Sequence, residues 1–142
     1  MIALYPIKPK YMQRILSGEK RYELRRRLPK NDINFVVLYS TSPESKIVGY
    51  AEVKTTHKLP PNDLWKKVKQ EAGISKDDYD LYFEGIENAC AIEFKKAFVL
   101  DCPISLAVLD EAMSVPQSFC YVAGDAFKKL CELGSYRYEF GS

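Results

Sequence analysis

Apolar and polar positions change period several times along the chain, and the changes mark the elements. "IALYPI" is a short apolar run that predicts a first strand. "KPKYMQRILSG" then takes helical spacing. Pro9 suits its first turn, Tyr11 or Met12 with Ile15 and Leu16 form the apolar stripe, and Gly18 supplies a C-terminal stop. "KRYELRRRL" alternates with period two, so that Tyr22 and Leu24 point one way and Arg21, Glu23, Arg25 and Arg27 the other. "INFVVLYST" and "KIVGYAEVKTTHKL" predict two further strands joined by the turn residues of "TSPESK". Pro60-Pro61-Asn62 closes this segment, with Asn62 as the expected cap of a helix "DLWKKVKQEAG". Ser75 and Asp78 stand at the N-cap and N3 positions of a second helix, "KDDYDLYFEG".

"NACAIEFKKAFVLDCPI" predicts one long or two short strands. "SLAVLDEAM" predicts a short helix, "GDAFKKLCELG" a last helix, and "YRYEF" a closing strand. The terminal Gly-Ser is compatible with a vector-derived remnant. Five or six strands and about five helices, joined by hairpin-like connections without a βαβ rhythm, predict an α+β fold. The expected form is a small, mostly antiparallel β-barrel decorated by short helices. A doubly wound sheet is disfavoured, because no glycine-rich turn follows the first strand. No repeat or linker divides the 142 residues, so one domain over 1–142 is expected. No apolar run approaches the ~20 residues of a membrane span, and the N-terminus lacks the pattern of a signal peptide. A cytoplasmic location is expected. Cys90, Cys102, Cys120 and Cys131 are widely spaced, and with His57 alone they make no zinc signature; they read as small buried thiols. No metal or cofactor is implied.

Charge changes this picture. The overall balance is only +2, but residues 1–30 hold nine basic and two acidic side chains, against twelve and seventeen in the remainder. A basic patch on an acidic body is the footprint of a polyanion partner. Lys8, Lys10, Lys20, Arg21, Arg25, Arg26 and Arg27 are candidate contacts to RNA or a nucleotide-like ligand. Gln117 and Ser118, on a loop after Pro116, add hydrogen-bonding groups at the rim. A solvated charged face is the plainer alternative. Glu23 either neutralises its arginines or works as a positioned carboxylate, accepting from a base edge or serving as a general base. Lys20 is either a phosphate contact or an amine activated by burial. There is no nucleophile elbow, P-loop or H-E-x-x-H motif.

The stretch "IKPKYMQRILSGEKRYELRRRLP" resembles the N-terminal signature of the ASCH domains, members of the PUA-like superfold. The motif G-x-K-x-x-x-x-R falls on Gly18, Lys20 and Arg25. "ESKIVGYAEV", and more loosely "EAGISKDDYDLYFEG" and "VPQSFCYV", continue the likeness. The resemblance implies a small barrel with a cleft lined by the motif residues, and a role in RNA binding, RNA metabolism or translation-linked regulation. Some members are amidohydrolases acting on N-acetylcytidine, or ribonucleases. The amidohydrolases use a lysine, a threonine three residues later and a helical glutamate. Lys20 matches the lysine and Glu71 the glutamate, but Glu23 stands where the threonine belongs, and a carboxylate cannot replace a hydroxyl nucleophile. Three functions stay open: RNA binding at a basic cleft; hydrolysis of a modified nucleoside or of RNA through Lys20, Glu23 and Glu71; and docking of an acidic protein partner.

Overall fold

The structure is a computed structural model that describes residues 1–140; the terminal Gly141 and Ser142 lie outside the described residues. The strands are β1 (Ile2–Ile7), β2 (Tyr22–Arg25), β3 (Phe35–Ser40), β4 (Lys46–Leu59), β5 (Ala89–Ile104), β6 (Cys120–Tyr121) and β7 (Ser135–Glu139). The helices are α1 (Pro9–Leu16), α2 (Pro61–Val68), α3 (Lys76–Tyr82), α4 (Leu106–Leu109) and α5 (Gly124–Cys131). One sheet runs in the order β2-β5-β4-β3-β1-β6, with β7 also paired to β5. Every pairing is antiparallel except β1 with β3, which run parallel from Ile2↔Phe35 to Ile7↔Ser40. A parallel pair needs a crossover. Here α1 and β2 form it, carrying the chain from one side of the sheet to the other.

Two long strands shape the sheet. β4 and β5 pair over most of their length, with register shifts near Glu52, Val53 and Thr55 that bend them. β5 is long enough to take β2 along Cys90–Glu93 and β7 along Lys96–Leu100 on the same edge. Gly49 lets the strands approach, since a Cβ there would stand 2.3 Å from the Phe98 carbonyl oxygen. The result is the expected α+β architecture, a curled half-barrel with short helices around it.

Both faces of the central strands are buried, which is why "IALYPI" shows no alternation. Tyr5 and Ile7 join Met12, Ile15, Leu38, Ile92 and Phe94 inside the curl, beneath α1. Leu4 joins Val37, Tyr50, Phe127 and Leu130 on the other face, beneath α5. A third cluster packs Tyr22 and Leu24 of β2 against Leu64 and Val68 of α2 and Tyr79 of α3.

Several expectations need correction. β2 ends at Arg25, because its partner strand β5 begins at Ala89 and Arg25 is already opposite Cys90; Arg26 and Arg27 therefore lie in the following bend. Asn62 does not cap α2. The N-cap is Pro60, and proline at the first helical turn, lacking an N–H, reduces the need for a cap. The α4 helix is a single turn, and the segment after it holds the two-residue strand β6. Cys102 and Cys131 are exposed rather than buried. Ser75 does cap α3, its hydroxyl accepting from the Asp78 N–H at 3.1 Å. No helix among the described residues is long and apolar enough to cross a membrane.

Phe94 is fully enclosed in the cluster inside the curl. Phe94→Ala is expected to cost about 3–5 kcal/mol in urea unfolding, because the cavity cannot collapse between the curled sheet and α1. Arg27→Ala, at an exposed bend, is expected to stay within about 0.5 kcal/mol of wild type.

Candidate functional site

The site begins at the turn between α1 and β2. Gly18 takes φ +84° and breaks the helix. The chain then docks edge-on against the loop after α2. Arg21 N–H donates to the Glu71 carbonyl at 2.8 Å, Lys20 Nζ to the Ala72 carbonyl at 2.5 Å, and Arg14 Nη1 to the Gly73 carbonyl at 2.7 Å. Gly73 is required by this contact. Its φ is +61°, and a Cβ there would lie 2.5 Å from Lys20 Cβ.

Docking buries Lys20 to 3% exposure. Burial lowers its pKa to about 8, with Arg14 and Arg25 acting in the same direction and Glu23 against them. Its ammonium also lies 5.4 Å from the Tyr11 ring centroid.

Glu23 and Arg25 sit on the face of β2 opposite Tyr22 and Leu24, as the alternation predicts. Arg25 grips one oxygen of Glu23 twice: Nε donates to Oε2 at 2.9 Å and Nη2 lies 2.7 Å from the same atom. The guanidinium also donates to the Pro6 carbonyl at 2.8 Å and to the Ser118 carbonyl at 3.4 Å. It lies 4.7 Å over the Tyr5 ring, which stacks on Phe119. Arg25 thus ties β2 to β1 and to the loop before β6.

These residues open onto a cavity of about 500 Å³. Lys20, Glu23 and Arg25 line its floor, and Lys8, Lys10 and Arg26 line its mouth. The far wall is the apolar side of α3, Leu81 and Tyr82, with Ile74. Lys10 lies 3.9 Å from Asp78, and Arg26 donates to the Tyr82 carbonyl at 3.0 Å while covering its ring.

Other candidate residues lie elsewhere. Arg27 is exposed in the bend, and Gln117 and Ser118 are exposed on their loop, where Ser118 contributes its carbonyl to Arg25. Arg21 turns away from the cavity. It meets Glu93 at 3.0 Å and Glu71 at 3.6 Å, and Glu93 also holds His57 at 2.8 Å. Glu71 therefore joins a separate ion-pair cluster on the outer side of β2, outside the cavity. Tyr82 and Leu81 were not distinguishable in the sequence as site residues. The tyrosines of α3 are three apart, and only packing shows that Tyr79 goes into the core while Tyr82 lines the cavity.

The chain matches the ASCH domain family over residues 6–98. The chain belongs to the ASCH domain family. It is 31% identical over 137 residues to the ASCH domain-containing ribonuclease of Zymomonas mobilis, which covers 94% of this chain and 92% of that protein. It is also 31% identical over 104 residues to large ribosomal subunit protein uL22 of Ureaplasma parvum; the match covers 73% of this chain but only 33% of that protein. The crystal structure of ASCH from Zymomonas mobilis superimposes with a TM-score of 0.83 at 28% identity, over 95% of this chain and 96% of that one. The ASCH motif residues Gly18, Lys20 and Arg25 fall respectively at the turn, on the cavity floor and at the clamp.

The low pKa of Lys20 has a consequence for stability. The folded state releases the Lys20 proton near pH 8, whereas an unfolded lysine keeps it to about 10.4. Between those values the unfolded state binds more protons, so stability rises with pH. Wild type is expected to gain about 2 kcal/mol relative to Lys20→Met between pH 7 and pH 10, read by chemical denaturation at both pH values. An unchanged difference would mean that Lys20 titrates as an exposed amine.

Proposed function

We propose that this ASCH domain binds RNA in the cavity beneath β2 and cleaves it there. The observation that carries the reading is Lys20, an amine held out of water on the floor of a cavity whose mouth carries Lys8, Lys10 and Arg26. A cation in a water-poor pocket is worth far more to a phosphate than one at the surface. The ribonuclease name of a relative aligned along nearly the whole chain supports the same reaction class.

The roles follow from position. Lys8, Lys10 and Arg26 have their charges at the mouth, where a phosphodiester backbone would run. Arg25 has donors committed to Glu23, Pro6 and Ser118, so it shapes the floor and adds positive potential rather than offering a free fork. Lys20 reaches Ala72 with one of its three N–H donors, leaving two for a phosphoryl oxygen. In its charged form it stabilises the negative charge that builds on the non-bridging oxygens as an attacking oxygen, the ribose 2′-hydroxyl or water, gives up its proton to solvent and forms the new P–O bond, while the 5′-oxygen of the next nucleotide leaves and takes a proton from solvent. Glu71, in the outer cluster, has no part in this arrangement. A lysine–glutamate pairing like that of the amidohydrolases draws no support from this arrangement, since Glu71 faces Arg21 at 3.6 Å.

The test uses labelled single-stranded and stem-loop RNA across a salt series, with cleavage followed on gels. Wild type is expected to bind with a steep linear log–log salt slope, and Lys8→Ala/Lys10→Ala to reduce that slope by about two. Lys20→Ala is expected to lower cleavage at least about 100-fold. Because the charged amine is the working form, cleavage is expected to fall as pH rises through about 8. RNA binding without cleavage would leave a binding module, and no binding at low salt would overturn the reading.

A further inference from the structure

Glu23 holds the observation that the cleavage reading does not use. Its side chain is only 7% exposed, yet it lines the cavity. Both of its arginine contacts fall on Oε2, from Arg25 Nε and Nη2. Among the described residues nothing donates to Oε1. Oε1 is not among the atoms shut off from solvent, so it faces the cavity as an acceptor that water or a ligand can reach.

Neighbouring groups define that ligand. Arg25 is anchored to the Pro6 and Ser118 carbonyls, so the fork that holds Oε2 fixes the carboxylate plane and leaves one acceptor pointing at the cavity. Lys20, also on the floor, is a pure donor. Leu81, 69% exposed although it is a large hydrophobic residue, and Tyr82 give the α3 wall an apolar and aromatic part, beside Asp78, which Lys10 meets at 3.9 Å. A flat ring with a donor beside an acceptor on its edge matches all three features.

Resting on the RNA reading above, we propose that this cavity is a nucleobase subsite selective for bases with an exocyclic amino group, with Glu23 Oε1 accepting from that amine. Of the two Lys20 donors not held by Ala72, one reaches the adjacent ring nitrogen or carbonyl and the other stays with the phosphate; the base lies against Leu81 and the edge of Tyr82, whose face Arg26 covers. Cytosine fits this pattern: its amine stands clear at the ring corner next to an acceptor nitrogen. Uracil does not. Its only ring-edge donor, the imide N–H, lies between two carbonyl oxygens, and a carboxylate that reaches it faces their lone pairs. Carboxylates elsewhere use the same preference to read the cytosine amine.

Cytidine and uridine 5′-monophosphate carry the same phosphate and sugar, so calorimetric titration of the full chain with each isolates the base. Cytidine monophosphate is expected to bind at least about tenfold more tightly. The N4,N4-dimethyl derivative keeps the ring acceptors but loses both N–H donors, and it is expected to bind as weakly as uridine monophosphate. Glu23→Gln, which can present either an acceptor or a donor, is expected to bring the ratio near one. Equal affinities in wild type overturn the selectivity while leaving RNA cleavage standing, as does tight binding of the dimethyl derivative. RNA binding in the salt series with neither nucleotide taken up also overturns the subsite. No binding of RNA or of either nucleotide removes both readings together. The wild-type comparisons hold even if Glu23→Gln fails to fold.

Discussion

The contact on which the rest of the site depends is the docking of the 17–21 turn onto the 71–73 loop. Three donors from the α1–β2 segment meet three successive backbone carbonyls there. Two segments more than fifty residues apart satisfy polar groups that would otherwise be buried unpaired. That satisfaction allows a lysine to sit out of water at all, and the burial sets its chemistry. It also fixes where β2 starts, and so which β2 side chains face the helices and which face the cavity.

Much of the basic run between Lys8 and Lys30 turns out to be architectural. Arg14, Lys20, Arg25 and Arg26 all donate to backbone carbonyls of other segments, and Arg21 is held between two carboxylates. Arginine suits such duty because its planar fork can serve several acceptors at once. A charge count weighs all these residues alike. The structure divides them into those that hold the walls and those whose charge stays at the mouth, Lys8 and Lys10, with Arg26 doing both.

What could be read in advance follows from range. The helix α1, its proline start and glycine stop, the two faces of β2, and the cap at Ser75 are encoded within a few residues, and all were legible. The spacing of Gly18, Lys20 and Arg25 was visible along the chain, and the fold brings Lys20 and Arg25 to one cavity. The burial of Lys20 was not legible, because it depends on Ala72 and Gly73. Nor was the separation of Glu71 from the cavity, which follows from Arg21 pairing outward. The length of β2 was misjudged because the alternation of "KRYELRRRL" continues past the point where β5 stops offering a partner.

The parallel pairing of β1 with β3 bears on synthesis. It places the motif segment in a crossover whose own partner strand, β5, emerges from the ribosome 65 to 71 residues later by the Arg25↔Cys90 and Tyr22↔Glu93 pairs, and whose clamp to the Ser118 carbonyl spans 93 residues. The motif is thus made well before the strand and the carbonyl that seat it. Closure of such distant contacts is slow, since the loop entropy must be met before any contact forms. Until then β2 is an unpaired strand flanked by cations, and mutual repulsion of those charges discourages edge-to-edge pairing with other nascent chains. The charge that later shapes a pocket first serves as a gatekeeper during folding.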